Sequence, residues 1–184
     1  AGEHDTDGMI ALVTAPEDAA RLAIGSEPAE ELHVTLAYLA DTTGTTAEQY
    51  VTALEDAMPA APLDGKVGGF ATFNPGAIGD PDAGDPAQVF IIDAPGLADV
   101  RAQVVAALTA ADDLPDADTT HDGWIPHLTY AYGPEATATP DVLGPVRLDT
   151  LRVSIGGKHT DIPLAGTQAG LVAAGVVYKV DDFT

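Results

Sequence analysis

One six-residue run occurs twice in this chain. Residues 33–38 read His-Val-Thr-Leu-Ala-Tyr and residues 127–132 read His-Leu-Thr-Tyr-Ala-Tyr. The offset is 94 in a chain of 184 residues, about half its length. Four of the six positions are identical: His33 and His127, Thr35 and Thr129, Ala37 and Ala131, Tyr38 and Tyr132. A repeat at half-length predicts two similar lobes, each built around one copy. Both runs are rich in β-branched and aromatic residues, and so read as strands. With a strand period of two, His33 and Thr35 share one face, and His127 and Thr129 share the matching face. On strict alternation Ala37 and Ala131 belong to that same face and leave room for a ligand. Tyr38 and Tyr132 then fall on the opposite, core-packed face unless a bulge intervenes.

Around the repeat, helical and strand signals are interspersed. Residues 8–14 form a short apolar run, and Pro16 opens a helical stretch over 16–24. A strand covers 32–39. Thr45-Thr46-Ala47-Glu48 has the Thr-x-x-Glu form of a capping box. The helix it starts puts Tyr50, Val51, Leu54 and Met58 on one face and stops before Pro59. Strands are expected over 66–73 and 88–93, with a Gly/Pro/Asp-rich loop between them. Leu97, Val100, Val104, Leu108 and Ala111 make one stripe of a helix over 96–111. An Asp-rich loop follows over 112–123. The second His-x-Thr run is a strand over 127–132, and 146–155 holds one or two strands ending at Gly156-Gly157. A closing strand is expected over 176–180. Several strands follow one another without a helix between them. This predicts an α+β fold with largely antiparallel sheets, two lobes related by a pseudo-twofold axis, and helices packed outside a concave groove. All 184 residues are read as a single bilobal domain.

Charge narrows the function. Seven Lys and Arg stand against 29 Asp and Glu, a formal net charge of −22. Long duplex DNA or RNA needs cations to displace its counterions, and an anionic membrane repels such a surface. A phosphate-bearing ligand is therefore a small nucleotide or short oligonucleotide held by a few local groups. The 21 Asp against three Lys fit either a solvated acidic surface or adaptation to high salt. Hydrophobic residues make up 46%, enough for a core and too many for a disordered acidic chain. Without cysteine there is no disulfide, thiol nucleophile or Cys-bound metal. The two serines, Ser26 and Ser154, lie outside any Gly-x-Ser-x-Gly elbow. The run from Asp80 to Asp85 resembles the start of a calcium loop, but its twelfth position is Ile91 and not a bidentate Glu. His121 and His127 lack the phase of a metal pair, so no metal and no cofactor is expected. No leader peptide opens the chain and no apolar run reaches membrane-spanning length, which points to the cytoplasm. The first residue is Ala1, which reads as a piece of a larger polypeptide.

Two histidines and two threonines facing one groove suit displacement at phosphorus. One neutral imidazole takes a proton from the attacking water, and the other, protonated, gives one to the leaving oxygen. Histidine holds either state near neutral pH. The threonine hydroxyls donate to non-bridging phosphate oxygens. A single His-x-Thr on a strand is most often just a half-exposed strand; the duplication is what points to chemistry.

The paired motifs His33-Val34-Thr35-Leu36 and His127-Leu128-Thr129-Tyr130 resemble the signature of the two-histidine (2H) phosphoesterase superfamily, which includes the 2′-5′ RNA ligase-like proteins and cyclic nucleotide phosphodiesterases. The runs Glu-Leu-His-Val-Thr-Leu-Ala-Tyr-Leu and Trp-Ile-Pro-His-Leu-Thr are similar to bacterial and tailed-phage members. The resemblance spans both lobes and implies metal-free hydrolysis of 2′,3′-cyclic phosphates, 2′-5′ linkages or cyclic oligonucleotides. It also implies His127 as base and His33 as acid, roles that swap with substrate direction. For phage-type members it implies a counter-defence role in the host cytoplasm. A non-catalytic nucleotide-binding sponge, or a virion domain that has kept the fold, is the alternative. Trp124, three residues before His127, is either a nucleobase-stacking platform or, more commonly for a lone Trp, a groove wall. Lys158 and His159, after Gly156-Gly157, fit a loop that reaches a phosphate but read more readily as a solvated turn; His4 reads as part of a disordered polar terminus and His121 as exposed.

Overall fold

The computed structural model describes residues 6–74, 85–115, 117, 123–134 and 140–164. His4, His121, the expected closing strand over 176–180 and most of the loop around Asp80 lie outside these residues. Seven strands are described: β1 (Gly8–Thr14), β2 (His33–Leu39), β3 (Leu63–Phe73), β4 (Ala87–Asp93), β5 (His127–Tyr132), β6 (Gly144–Ile155) and β7 (Lys158–Pro163). Three α-helices accompany them: α1 (Pro16–Leu22), α2 (Ala47–Leu54) and α3 (Leu97–Ala110). The strands form one antiparallel sheet in the order β2-β1-β6-β3-β4-β5, with β7 pairing β6 as well.

The duplication is visible in this order. The unit β1-α1-β2 recurs as β4-α3-β5, and β6 and β3 join the two halves at the middle of the sheet. The two motif strands, β2 and β5, therefore stand at opposite ends of the hydrogen-bonded path. The sheet curls enough to bring these ends together. The Glu27 amide donates to the Tyr130 carbonyl at 3.1 Å, and the Tyr132 amide donates to Ser26 Oγ at 3.1 Å. Gly25 permits this approach, because a Cβ there would collide with the Tyr130 carbonyl.

Local chemistry explains the helices. In α1, Pro16 sits in the first turn with Glu17 and Asp18, and Arg21 in the last, matching the helix dipole. The predicted stripe of α3 is buried at Leu97, Val100, Val104 and Leu108, each such side chain contributing about 1.5–3 kcal/mol. A charge at Val104 would break that packing. The capping box of α2 falls one residue later than predicted. The Thr45 hydroxyl donates to the Thr42 carbonyl at 2.7 Å, so Thr46 caps the helix. The Gln49 amide donates to Thr46 Oγ1, and the Thr46 amide donates to Gln49 Oε1.

One strand was not foreseen. Lys158 and His159 belong to β7 and not to a solvated turn. Gly156 and Gly157 have φ of 53° and 72°, so they make a two-residue hairpin turn whose twist suits the flanking strands. The strand itself is mostly polar and ends in proline, which hid it from a search for apolar alternation. Residues 144–155 form one long strand and not two.

Candidate active site

Each motif strand carries a bulge at the same place. Along β1 and β2, Ile10 pairs with Ala37 and the next residue, Ala11, pairs with Thr35, which leaves Leu36 as the extra residue. Along β4 and β5, Gln88 pairs with Ala131 and Val89 with Thr129, which leaves Tyr130 extra. The extra residue resets the alternation. Ala37 and Ala131 turn into the core at 4% and 7% exposure, and Tyr38 and Tyr132 turn outward at 44% and 54%. The expectation that the alanines line the groove is thus corrected. Tyr132 lies on the His127 and Thr129 face, with its hydroxyl bonded to the Thr129 side chain; burial first, then the Glu27 carboxylate, push its ionisation up. Tyr38 donates to Asp7 Oδ2 at 2.9 Å, so the two halves differ here.

His33 and His127 are held alike. His33 Nδ1 donates to the Glu31 carbonyl at 2.6 Å, and His127 Nδ1 donates to the Ile125 carbonyl at 2.7 Å. A carbonyl can only accept, so the Nδ1 proton is fixed in both and Nε2 is the nitrogen that gains or loses a proton. The partner is in each case the carbonyl two residues upstream. The two rings are near enough for the His127 charge to act on His33. Burial is the main cause that holds the His33 pKa below the ordinary histidine value; the bond to the Glu31 carbonyl opposes it, and the positive charges of Arg152 and His127 add to it. His127 lies in a more open place, with the edge of Phe73 against it at a centroid distance of 4.7 Å. Thr35 and Thr129 follow on the same faces, both half-buried.

Trp124 ties the two motifs together. Its indole Nε1 donates to the Thr35 carbonyl at 3.1 Å, and the Arg101 guanidinium lies 5.0 Å from its ring centroid. It is a strut between β5 and β2, with a cation over one of its faces. Among the described residues, no group of three or more His or carboxylate side chains is placed to hold a metal ion. No helix among them is long and apolar enough to cross a membrane.

Sequence reasoning missed Glu31 and Arg152, whose charges act on His33, and Asp161, which pairs with Arg152. A signal existed for Arg152. It is one of only four arginines, and it interrupts the apolar run Leu151-Arg152-Val153 of a strand.

This pairing of duplicated His-x-Thr strands defines a class, the two-histidine phosphoesterases. The chain belongs to the 2′-5′ RNA ligase superfamily, whose family model matches residues 14–158. An activity of the phosphoesterase or ligase type goes with that membership. A search of the curated proteins finds no match. Among solved structures the chain is similar to TT0787 of Thermus thermophilus, at 15% identity and a TM-score of 0.59, covering 88% of this chain and 99% of that one. Apo LigT of E. coli is similar at 13% identity and a TM-score of 0.52, covering 89% and 96%. LigT complexed with 3′-AMP is similar at 14% and 0.51, covering 89% and 97%. At these identities the likeness is one of fold.

Proposed function

We propose that this protein is a metal-independent phosphodiesterase that hydrolyses a small nucleotide phosphodiester, either a cyclic oligonucleotide, a 2′,3′-cyclic phosphate or a 2′-5′ linkage. The observation that supports the reading is the matched anchoring of His33 and His127 through Nδ1, on two strands that come into contact where the sheet curls back. Water attacks phosphorus as one Nε2 takes its proton. The bond to the leaving oxygen breaks, and that oxygen receives a proton from the other Nε2. Thr35 and Thr129 hold the non-bridging oxygens. Burial leaves the His33 ring neutral and so free to take a proton, which favours His33 as acceptor and His127 as donor in the hydrolytic direction. This reverses the order that the resemblance implies.

Net charge favours a small substrate, because a chain at −22 repels long polyanions. The 3′-AMP complex of LigT is a relative's example of a nucleotide in this fold. The setting we propose is the cytoplasm, a phage's host cell included, where such an activity would destroy cyclic nucleotide alarm signals. Incubation with cyclic di- and trinucleotides, 2′,3′-cyclic nucleotides and 2′-5′ dimers tests this. Turnover by the wild type and its loss in His33→Ala and His127→Ala support it. Saturable binding of every ligand without turnover would replace it with a nucleotide sponge.

A further inference from the structure

The two halves match closely at the histidines but differ in what lies beside them. Strand pairing places Thr35, Ala11, Arg152 and Asp161 in one row across β2, β1, β6 and β7. Directly paired residues project from the same face, so all four share the face of His33. The corresponding row in the other half runs Thr129, Val89, Ala71 across β5, β4 and β3. Arg152 thus stands where the second half has Ala71. Its nearest neighbour toward the groove is Ala11, small enough to leave the guanidinium a path toward β2.

Arg152 is almost wholly committed. Its side chain is 7% exposed. Nε and Nη2 donate to the two carboxylate oxygens of Asp161 at 2.7 and 2.8 Å, a fork-to-fork pair. Nη1 donates to the Glu30 carbonyl at 3.0 Å and to Glu31 Oε2 at 3.3 Å. Glu30 and Glu31 end a short 3-10 turn, Ala29–Glu31, and the next carbonyl along, that of Glu31, receives the His33 Nδ1 proton. Glu31 Oε1 lies 3.4 Å from His159 Nε2, and His159 Nδ1 is bonded to Ser154 Oγ at 3.1 Å. One cation therefore holds both the main chain and the side chain of the segment that orients one histidine. Among the described residues His127 has no such cation against its Ile125 carbonyl.

We propose that Arg152, braced by Asp161, is the positioning residue for His33: it clamps the Glu30-Glu31 segment so that the Glu31 carbonyl keeps the proton on Nδ1 and leaves Nε2 bare toward the groove. The role is specific to the first motif. It rests on the reading of His33 as a proton-transfer group only for its effect on rate, not for its effect on the ring.

Long-range nitrogen-15 spectra of the imidazoles, recorded above their titration range, test it without substrate. Wild-type His33 and His127 should both show the Nδ1–H tautomer. In Arg152→Met, His33 should move toward the Nε2–H form while His127 stays unchanged. Because Arg152→Met takes the guanidinium partner from Asp161, two further variants are made. Asp161→Asn keeps the shape, and Arg152→Met/Asp161→Met removes both charges, so that no charge is left without its partner. Both should show the same selective change at His33, the first more weakly. With 2′,3′-cyclic AMP as probe, kcat should fall about tenfold to a hundredfold with little change in KM, the scale of a displaced catalytic group. A folded variant lacking Arg152 whose His33 tautomer is unchanged overturns the inference. A selective tautomer change in a protein that hydrolyses none of the nucleotides sustains it and sinks the proposed function instead.

Discussion

Trp124→Phe removes a single link between the two halves of the site. Phenylalanine keeps an aromatic ring and loses the N–H that reaches the Thr35 carbonyl. At 3.1 Å between neutral partners, that bond has a net worth of about 0.5–1.5 kcal/mol. The contact with Arg101 weakens as well, by roughly 0.5 kcal/mol, because tryptophan is the better partner for a cation. The total is about 1–2 kcal/mol, which for a chain of this size lowers Tm by about 2–8 °C. The consequence for rate is separate. Two other bonds still join the halves, from the Glu27 amide to Tyr130 and from the Tyr132 amide to Ser26. The displacement of His33 relative to His127 is therefore partial. A misplacement of about 1 Å costs about a hundredfold, so kcat should fall about tenfold. KM should change less, because the hydroxyls of Thr35 and Thr129 are retained. Differential scanning calorimetry and steady-state kinetics on the best substrate of the panel give both numbers. If Tm falls as expected while kcat stays within twofold of wild type, the indole does not set the spacing of the two motifs and the reasoning fails.

His33→Ala and His127→Ala should each lower turnover by about a hundredfold or more, with the double variant scarcely worse, since the pair acts as a unit. Thr35→Val and Thr129→Val should each cost about 1–3 kcal/mol in kcat/KM, the loss of a hydroxyl bond to a charged oxygen. Rate against pH should be bell-shaped. With His33 as base, the acid limb reports its lowered pKa and should fall below the ordinary histidine range, because burial favours the neutral ring. An acid limb at or above that range in kcat/KM would argue for the opposite assignment. Activity should survive excess chelator; loss on chelation with recovery on adding a divalent cation would sink the two-histidine mechanism. Among the described residues the buried Tyr130 hydroxyl has no partner, so Tyr130→Phe should raise Tm, by about 2–4 °C if it relieves about 1 kcal/mol.

The elements that carry local signals were legible without the structure. Strands β1, β2, β4 and β5 and the buried stripe of α3 follow from apolar patterning within a window of a few residues. The pairing of His33 with His127 and of Thr35 with Thr129 follows from the repeat, because a duplicated unit places like residues in like positions. Tertiary pairing decided the rest. A bulge exists only relative to the strand it opposes, so the outward turn of Tyr38 and Tyr132 waited on Ile10–Ala11 and Gln88–Val89 as partners. The Nδ1 anchors are main-chain carbonyls, and no side-chain identity announces a carbonyl. Trp124 reaches Thr35 across 89 residues, and Arg152 reaches Glu31 across 121. At such separations a contact depends on how the sheet folds back on itself. The repeat determined which residues recur as pairs; the bulges and the curl of the sheet decided which way they point, and put Arg152 beside one motif where the other has Ala71.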